Sequence, residues 1–130
     1  MKVMESAEDY LETILILSRT KEKVRSIDIV KQMNLSKPSV SVAMKKLREN
    51  GYIEMDSDGY ITLNESGRNI AEKIYEKHIF ISEWLVDLGV SKDTALADAC
   101  RIEHVLSDES FDAIKKKYSG RKCKDCPGCG

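Results

Sequence analysis

Apolar positions recur at helical spacing in "SAEDYLETILILSR", residues 6–19: Tyr10, Leu11, Ile14, Leu15 and Leu17 form one stripe, behind a possible capping box of Ser6 with Asp9. A shorter periodic run covers Ser26 to Met33 and breaks at "NLSKP". Pro38 then opens a longer helix ending near Asn50, because a residue without an N–H is tolerated in a first helical turn. Two helices joined by so few residues predict a helix-turn-helix. Gly51 ends the second one, and the period changes in "YIEMDSDGYITL", two β-rich runs around the turn sequence "DSDG" that predict a hairpin wing.

Thr62 with Glu65 offers another capping box, opening a long helix whose stripe runs through Ile70, Ile74, His78 or Phe80, Ile81, Trp84 and Leu85. A further helix is expected from about Ser91 to Leu106, and a last one capped by Ser107 and stopped by Gly120. The pattern predicts a mostly α chain with a small β-hairpin wing: a winged helix-turn-helix in residues 1–64, a helical unit in 65–118 and a cysteine-rich tail in 119–130.

Composition narrows what such a chain can do. Of 130 residues 42% are hydrophobic, enough for a buried core, while 33% are charged with a formal net charge of -1. There is no global basic field, so a nucleic-acid partner must be met by a local patch. The start of the Pro38 helix supplies one. Ser36, Ser39 and Ser41 bring hydroxyl donors to the N-terminal end that Pro38 opens, Val42 suits a thymine methyl, and Lys37, Lys45, Lys46 and Arg48 add positive charge, while the wing and flanking groups would hold phosphates of double-stranded DNA. The alternative is a capped amphipathic helix with solvated lysines, and the order of all six elements favours DNA. No run reaches the roughly 18–20 apolar residues of a membrane span, and no signal-peptide core follows Met1, so a cytoplasmic protein with no membrane partner is expected.

Reduced thiols turn attention to the cysteines. In "DACRIEHVLSDES" the i, i+3, i+4 spacing lets Cys100, Glu103 and His104 aim a thiolate, a carboxylate and an imidazole at one point. Such a set suits Fe2+, Mn2+, Co2+ or Zn2+, with the thiolate pulling toward ions softer than Mn2+. Asp9 and Glu12 form a second i, i+3 pair, and His78 is the other histidine of the chain. Singly, each has a plain alternative as a cap, a solvated face residue or a small buried side chain. Cys123, Cys126 and Cys129 make a C-x2-C-x2-C tail able to offer three thiolates to Zn2+ or an Fe–S cluster, or else uncommitted thiols.

"EDYLETI", "LSKPSVSVAMKKLRENGYI", "ITLNESGRNIAEKIYEKH" and above all "DACRIEHVLSD" closely resemble the diphtheria toxin repressor and manganese transport regulator family of metal-dependent bacterial transcriptional repressors, over residues 4–118. The resemblance implies a homodimer on a palindromic operator, with a winged-helix domain, a helical dimerisation domain and metal bound by Asp9, Glu12, His78, Cys100, Glu103 and His104. It further implies regulation of iron or manganese homeostasis with Fe2+ or Mn2+ as corepressor, Fe2+ slightly preferred. Asp9 stands where manganese-responsive members carry aspartate and iron-responsive ones methionine, whereas Cys100 stands where iron regulators carry cysteine and manganese regulators glutamate. Ser82 and Leu96 occupy positions of ancillary-site ligands in iron-type members, so a metal pair sharing Glu12 and Glu103 is the variation expected. Val42 replaces a glutamine that touches DNA in some relatives, and the chain has no room for their third, SH3-like domain. Two rivals remain at this level: a winged-helix regulator sensing a non-metal ligand, and a small enzyme using Cys100 with His104. No glycine-rich phosphate loop or nucleophile elbow supports an enzyme, and none is expected.

Overall fold

The structure is a computed structural model that describes residues 5–125, with side chains over 6–118. It contains helices α1 (Glu5–Thr20), α2 (Ser26–Met33) and α3 (Lys37–Glu49), strands β1 (Ile53–Met55) and β2 (Ile61–Leu63), then α4 (Glu65–Asp87), α5 (Lys92–Val105) and α6 (Asp108–Asp125). The mostly helical fold with an antiparallel hairpin follows the sequence pattern. Two compact units divide within α4, the first ending at Tyr75 and the second beginning at Glu76.

In the first unit the predicted α1 stripe is buried: Leu11, Ile14, Leu15 and Leu17 meet Ile29 of α2, Val40, Met44 and Leu47 of α3, and Ile53 and Ile61 of the hairpin. Each fully buried aliphatic side chain contributes about 1.5–3 kcal/mol relative to exposure, so this cluster holds the three helices together. The α2–α3 turn passes through Asn34 at φ 55, a left-handed position that asparagine tolerates. Ser36 caps α3, its Oγ accepting the Ser39 amide at 3.2 Å, with Pro38 in the first turn.

Gly51, at φ 78, terminates α3. The strands pair with Ile53 opposite Leu63 and Met55 opposite Ile61. Their turn is closed by Asp56, whose Oδ1 accepts the amides of Asp58 and Tyr60, each at 2.9 Å. Val24, in the α1–α2 connection, pairs with Ile61 as an additional short edge of this sheet, with the Ile61 amide donating to the Val24 carbonyl at 2.7 Å.

Three predicted boundaries move. Ser6 lies inside the first turn of α1 instead of capping it, and Thr62 sits in β2, so α4 begins after Asn64 without a Thr62 cap. Helix α6 continues through Gly120 to Asp125, so the segment 119–130 is helical at its start. A lone glycine costs a helix only about 1 kcal/mol relative to alanine, too little to stop it unaided.

The second unit packs the later part of α4 against α5 and α6 through Ile81, Ala95, Ala99 and Phe111. Phe80 meets the rings of Phe111 and Tyr118 edge-on at 5.5 and 5.4 Å. Ser107 Oγ accepts the Ser110 amide at 3.1 Å, capping α6 as the sequence predicts.

Candidate metal centre

Helices α4 and α5 bring three ligand-competent side chains together inside the second unit. Donor atoms of His78, Cys100 and Glu103 all lie within 4.8 Å of one another. Cys100 and Glu103 share a face of α5 because three residues nearly complete one helical turn. His78 comes from α4, which only tertiary packing could supply.

Glu103 is the unusual member. It has no exposed surface, a placement that glutamate almost never takes unless its charge is compensated. Its Oε1 lies 2.8 Å from His78 Nδ1. Its Oε2 accepts no hydrogen bond among the described residues and lies 3.8 Å from Nε2 of His104, whose side chain is 2% exposed. A buried carboxylate oxygen aimed into a group of nitrogen and sulfur donors fits a transition-metal cation better than it fits a solvated or core role. Cys100 is exposed, which gives an ion a route to the thiolate.

His104 therefore touches the cluster through Glu103, while the three-donor group itself uses His78. Asp9, half-buried, and Glu12, buried, lie on α1 of the first unit. Cys126 and Cys129 fall outside the described residues, as does the side chain of Cys123. At the positions of an ancillary iron-type site, Ser82 Oγ donates to the Ile79 carbonyl at 3.0 Å and Leu96 offers only hydrocarbon, so this pair does not fit a second cation.

One residue missed in the sequence borders the site. Lys77, 8% exposed, donates to the Leu106 carbonyl at 3.0 Å and pairs with Asp108 at 3.1 Å, tying α4 to the corner between α5 and α6. Its position on the apolar stripe was the available signal, obscured because lysine is rarely buried.

The DNA-reading candidates form a separate surface on the first unit. Ser36, Lys37, Pro38, Ser39, Ser41, Val42, Lys45 and Lys46 are all exposed, whereas Val40, Met44 and Leu47 face the core. Ser36 Oγ also donates to Ser39 Oγ at 2.8 Å, so those two hydroxyls are partly committed to the cap.

Comparison with known proteins identifies the family. The family model described as iron dependent repressor, N-terminal DNA binding domain, matches residues 2–63, and that described as iron dependent repressor, metal binding and dimerisation domain, matches 64–128. An uncharacterised HTH-type transcriptional regulator of Methanocaldococcus jannaschii is 37% identical over 113 residues, covering 85% of this chain and 90% of the relative. Transcriptional regulator MntR of Escherichia coli is 33% identical over 111 residues, covering 85% and 72%. A solved manganese-dependent transcriptional repressor in complex with manganese superposes with a TM-score of 0.78 at 29% identity, covering 85% of this chain. The chain spans about half of that solved protein, 51% of its length. This chain belongs to the iron-dependent repressor family of metal-dependent, DNA-binding transcriptional regulators.

Proposed function

We propose that this chain represses transcription as a homodimer on a palindromic DNA operator, with Fe2+ or Mn2+ as corepressor in iron or manganese homeostasis. The observation that carries it is the buried Glu103, joined to His78 and within reach of the Cys100 thiol. His78, Cys100, Glu103 and His104 would hold the metal from the second unit, and the family resemblance adds Asp9 and Glu12. A bound cation supplies positive charge that neutralises the carboxylates and thiolate and favours one arrangement of the ligands over others. Thiolate coordination favours Fe2+ slightly over Mn2+.

Residues 1–64 act as the DNA-binding domain, residues 65–118 carry metal binding and dimerisation, and Cys123, Cys126 and Cys129 of the segment 119–130 would offer thiolates to Zn2+ or an Fe–S cluster. Exposed Leu88 and Val105 on the second unit supply apolar surface suited to a partner copy. A DNA partner implies a cytoplasmic site of action, and no described helix is long and apolar enough to cross a membrane.

Anaerobic gel-shift titration at buffered free Fe2+, Mn2+, Co2+ and Zn2+ tests the reading. Affinity should rise with Fe2+ or Mn2+ and fall in excess chelator; equal affinity in all conditions would end it.

A further inference from the structure

A winged fold uses its hairpin and flanking groups to hold phosphates, yet this hairpin has the wrong charge. From Gly51 to Asn64 the chain carries Glu54, Asp56 and Asp58, all exposed, and no lysine or arginine. Asp56 is needed to close the turn through the amides of Asp58 and Tyr60, so the acidic character belongs to the hairpin's own construction.

Cations collect instead at the added edge of the sheet. The Val24–Ile61 pairing fixes the backbone of the α1–α2 connection beside β2 and buries Val24, leaving Lys23 and Arg25 exposed on either side of it. Lys23 Nζ and Arg25 Cζ each lie 4.5 Å from the centroid of the Tyr60 ring. The ring's negative face attracts both. Two positive charges sharing one ring also repel each other, and among the described residues neither forms an ion pair. Lys21, close by in sequence, is by contrast paired with Asp28 at 2.5 Å.

We propose that Lys23 and Arg25, held on Tyr60, form a phosphate clamp for double-stranded DNA at the edge of the hairpin, in place of its acidic turn. A phosphate that meets both gains from each: the guanidinium offers two parallel N–H donors to phosphate oxygens, and the ammonium adds a point charge. Stacking on the ring limits the side-chain freedom that binding must remove. The clamp reads no bases, so it acts on every sequence alike. It rests on the DNA-binding reading above.

The experiment compares wild type with the Lys23→Gln/Arg25→Gln double variant by fluorescence anisotropy on mixed-sequence duplex DNA, over a salt series, with Mn2+ and with chelator. The double variant should keep the wild-type melting temperature and Mn2+ affinity, while the log affinity versus log salt slope becomes shallower by about 0.9 for each phosphate that is no longer neutralised. The Lys23→Arg/Arg25→Lys swap should restore most of the slope. An unchanged slope and affinity in the double variant, with metal-dependent binding intact in the wild type, overturns the clamp alone. A reduced slope in a protein whose wild type ignores metal supports the clamp and overturns metal dependence. Absence of duplex binding by the wild type overturns both.

Discussion

Cys100 and Glu103 show how far a single turn of helix reaches. Their i, i+3 spacing was legible in the sequence because helical geometry alone puts them on one face; His78, twenty-two residues before Cys100, was joined to them only by the packing of α4 on α5. The thiolate gives a direct test. With Cys123, Cys126 and Cys129 replaced by serine, Cys100→Ser should abolish the near-ultraviolet thiolate-to-metal absorption of Co2+-loaded protein and weaken Co2+ binding by more than roughly tenfold, since even supporting groups at metal sites matter at the 10–100-fold level. Absorbance titration measures both, and an unaltered spectrum would remove Cys100 from the ligand set.

Asp28 belongs to the same scale but concerns pH. Hydrogen bonding from the Lys21 ammonium, then from the Arg25 amide at 2.9 Å, holds its carboxyl below the ordinary value of 3.8, with burial opposing. A carboxyl whose folded pKa is depressed stabilises the fold fully above its unfolded pKa, and the contribution disappears as pH falls through the folded value. Carboxyl NMR should show Asp28 titrating below 3.8 in the folded protein. Asp28→Asn should flatten the loss of stability in that acid range and leave the profile near neutrality parallel to wild type.

Elements were legible where one local rule dominated. Helices α2 and α3 start and stop as their proline, asparagine and glycine signals require, and β-rich runs around a turn sequence located the hairpin. Capping boxes at Ser6 and Thr62 failed because the residue motif carries no information about whether the chain is already helical or already paired as a strand. Close approaches were equally silent. A Cβ on Gly67 would stand 2.2 Å from the Tyr52 carbonyl oxygen, so α4 can start beside β1 only with glycine there. Gly67→Ala should destabilise the first unit by about 1–3 kcal/mol, as overpacking does, lowering the urea midpoint with little change in slope. Lys77→Met keeps the aliphatic stem but removes the donor to Leu106 and the partner of Asp108. Urea melts should show a loss of about 1.5–3 kcal/mol, the range for hydrogen bonds to charged groups.

At the scale of the molecule, the sequence disclosed two candidate surfaces because they use different residue types: exposed hydroxyls and lysines on α3, sulfur, carboxylate and imidazole on α4 and α5. The stacking of Lys23 and Arg25 on Tyr60 was hidden, because it depends on a single strand pairing across thirty-seven residues, Val24 with Ile61. Metal binding to the folded state alone should raise the melting temperature with metal concentration, with about 2.7 kcal/mol gained at one hundred times Kd. Calorimetry in graded Mn2+ checks this, and Glu103→Gln should make the melting temperature much less responsive to the ion.

The burial of Glu103 also leads to an expectation about how long the protein lasts in a cell. A carboxylate with no exposed surface, one oxygen of which accepts no hydrogen bond among the described residues, weighs against the folded second unit until a cation neutralises it. Proteases act on the opened population, which shrinks as metal fills the site. Metal starvation should therefore shorten the protein's half-life, so that repression ends by clearance of the repressor as well as by its release from DNA, and recovery must wait for new synthesis.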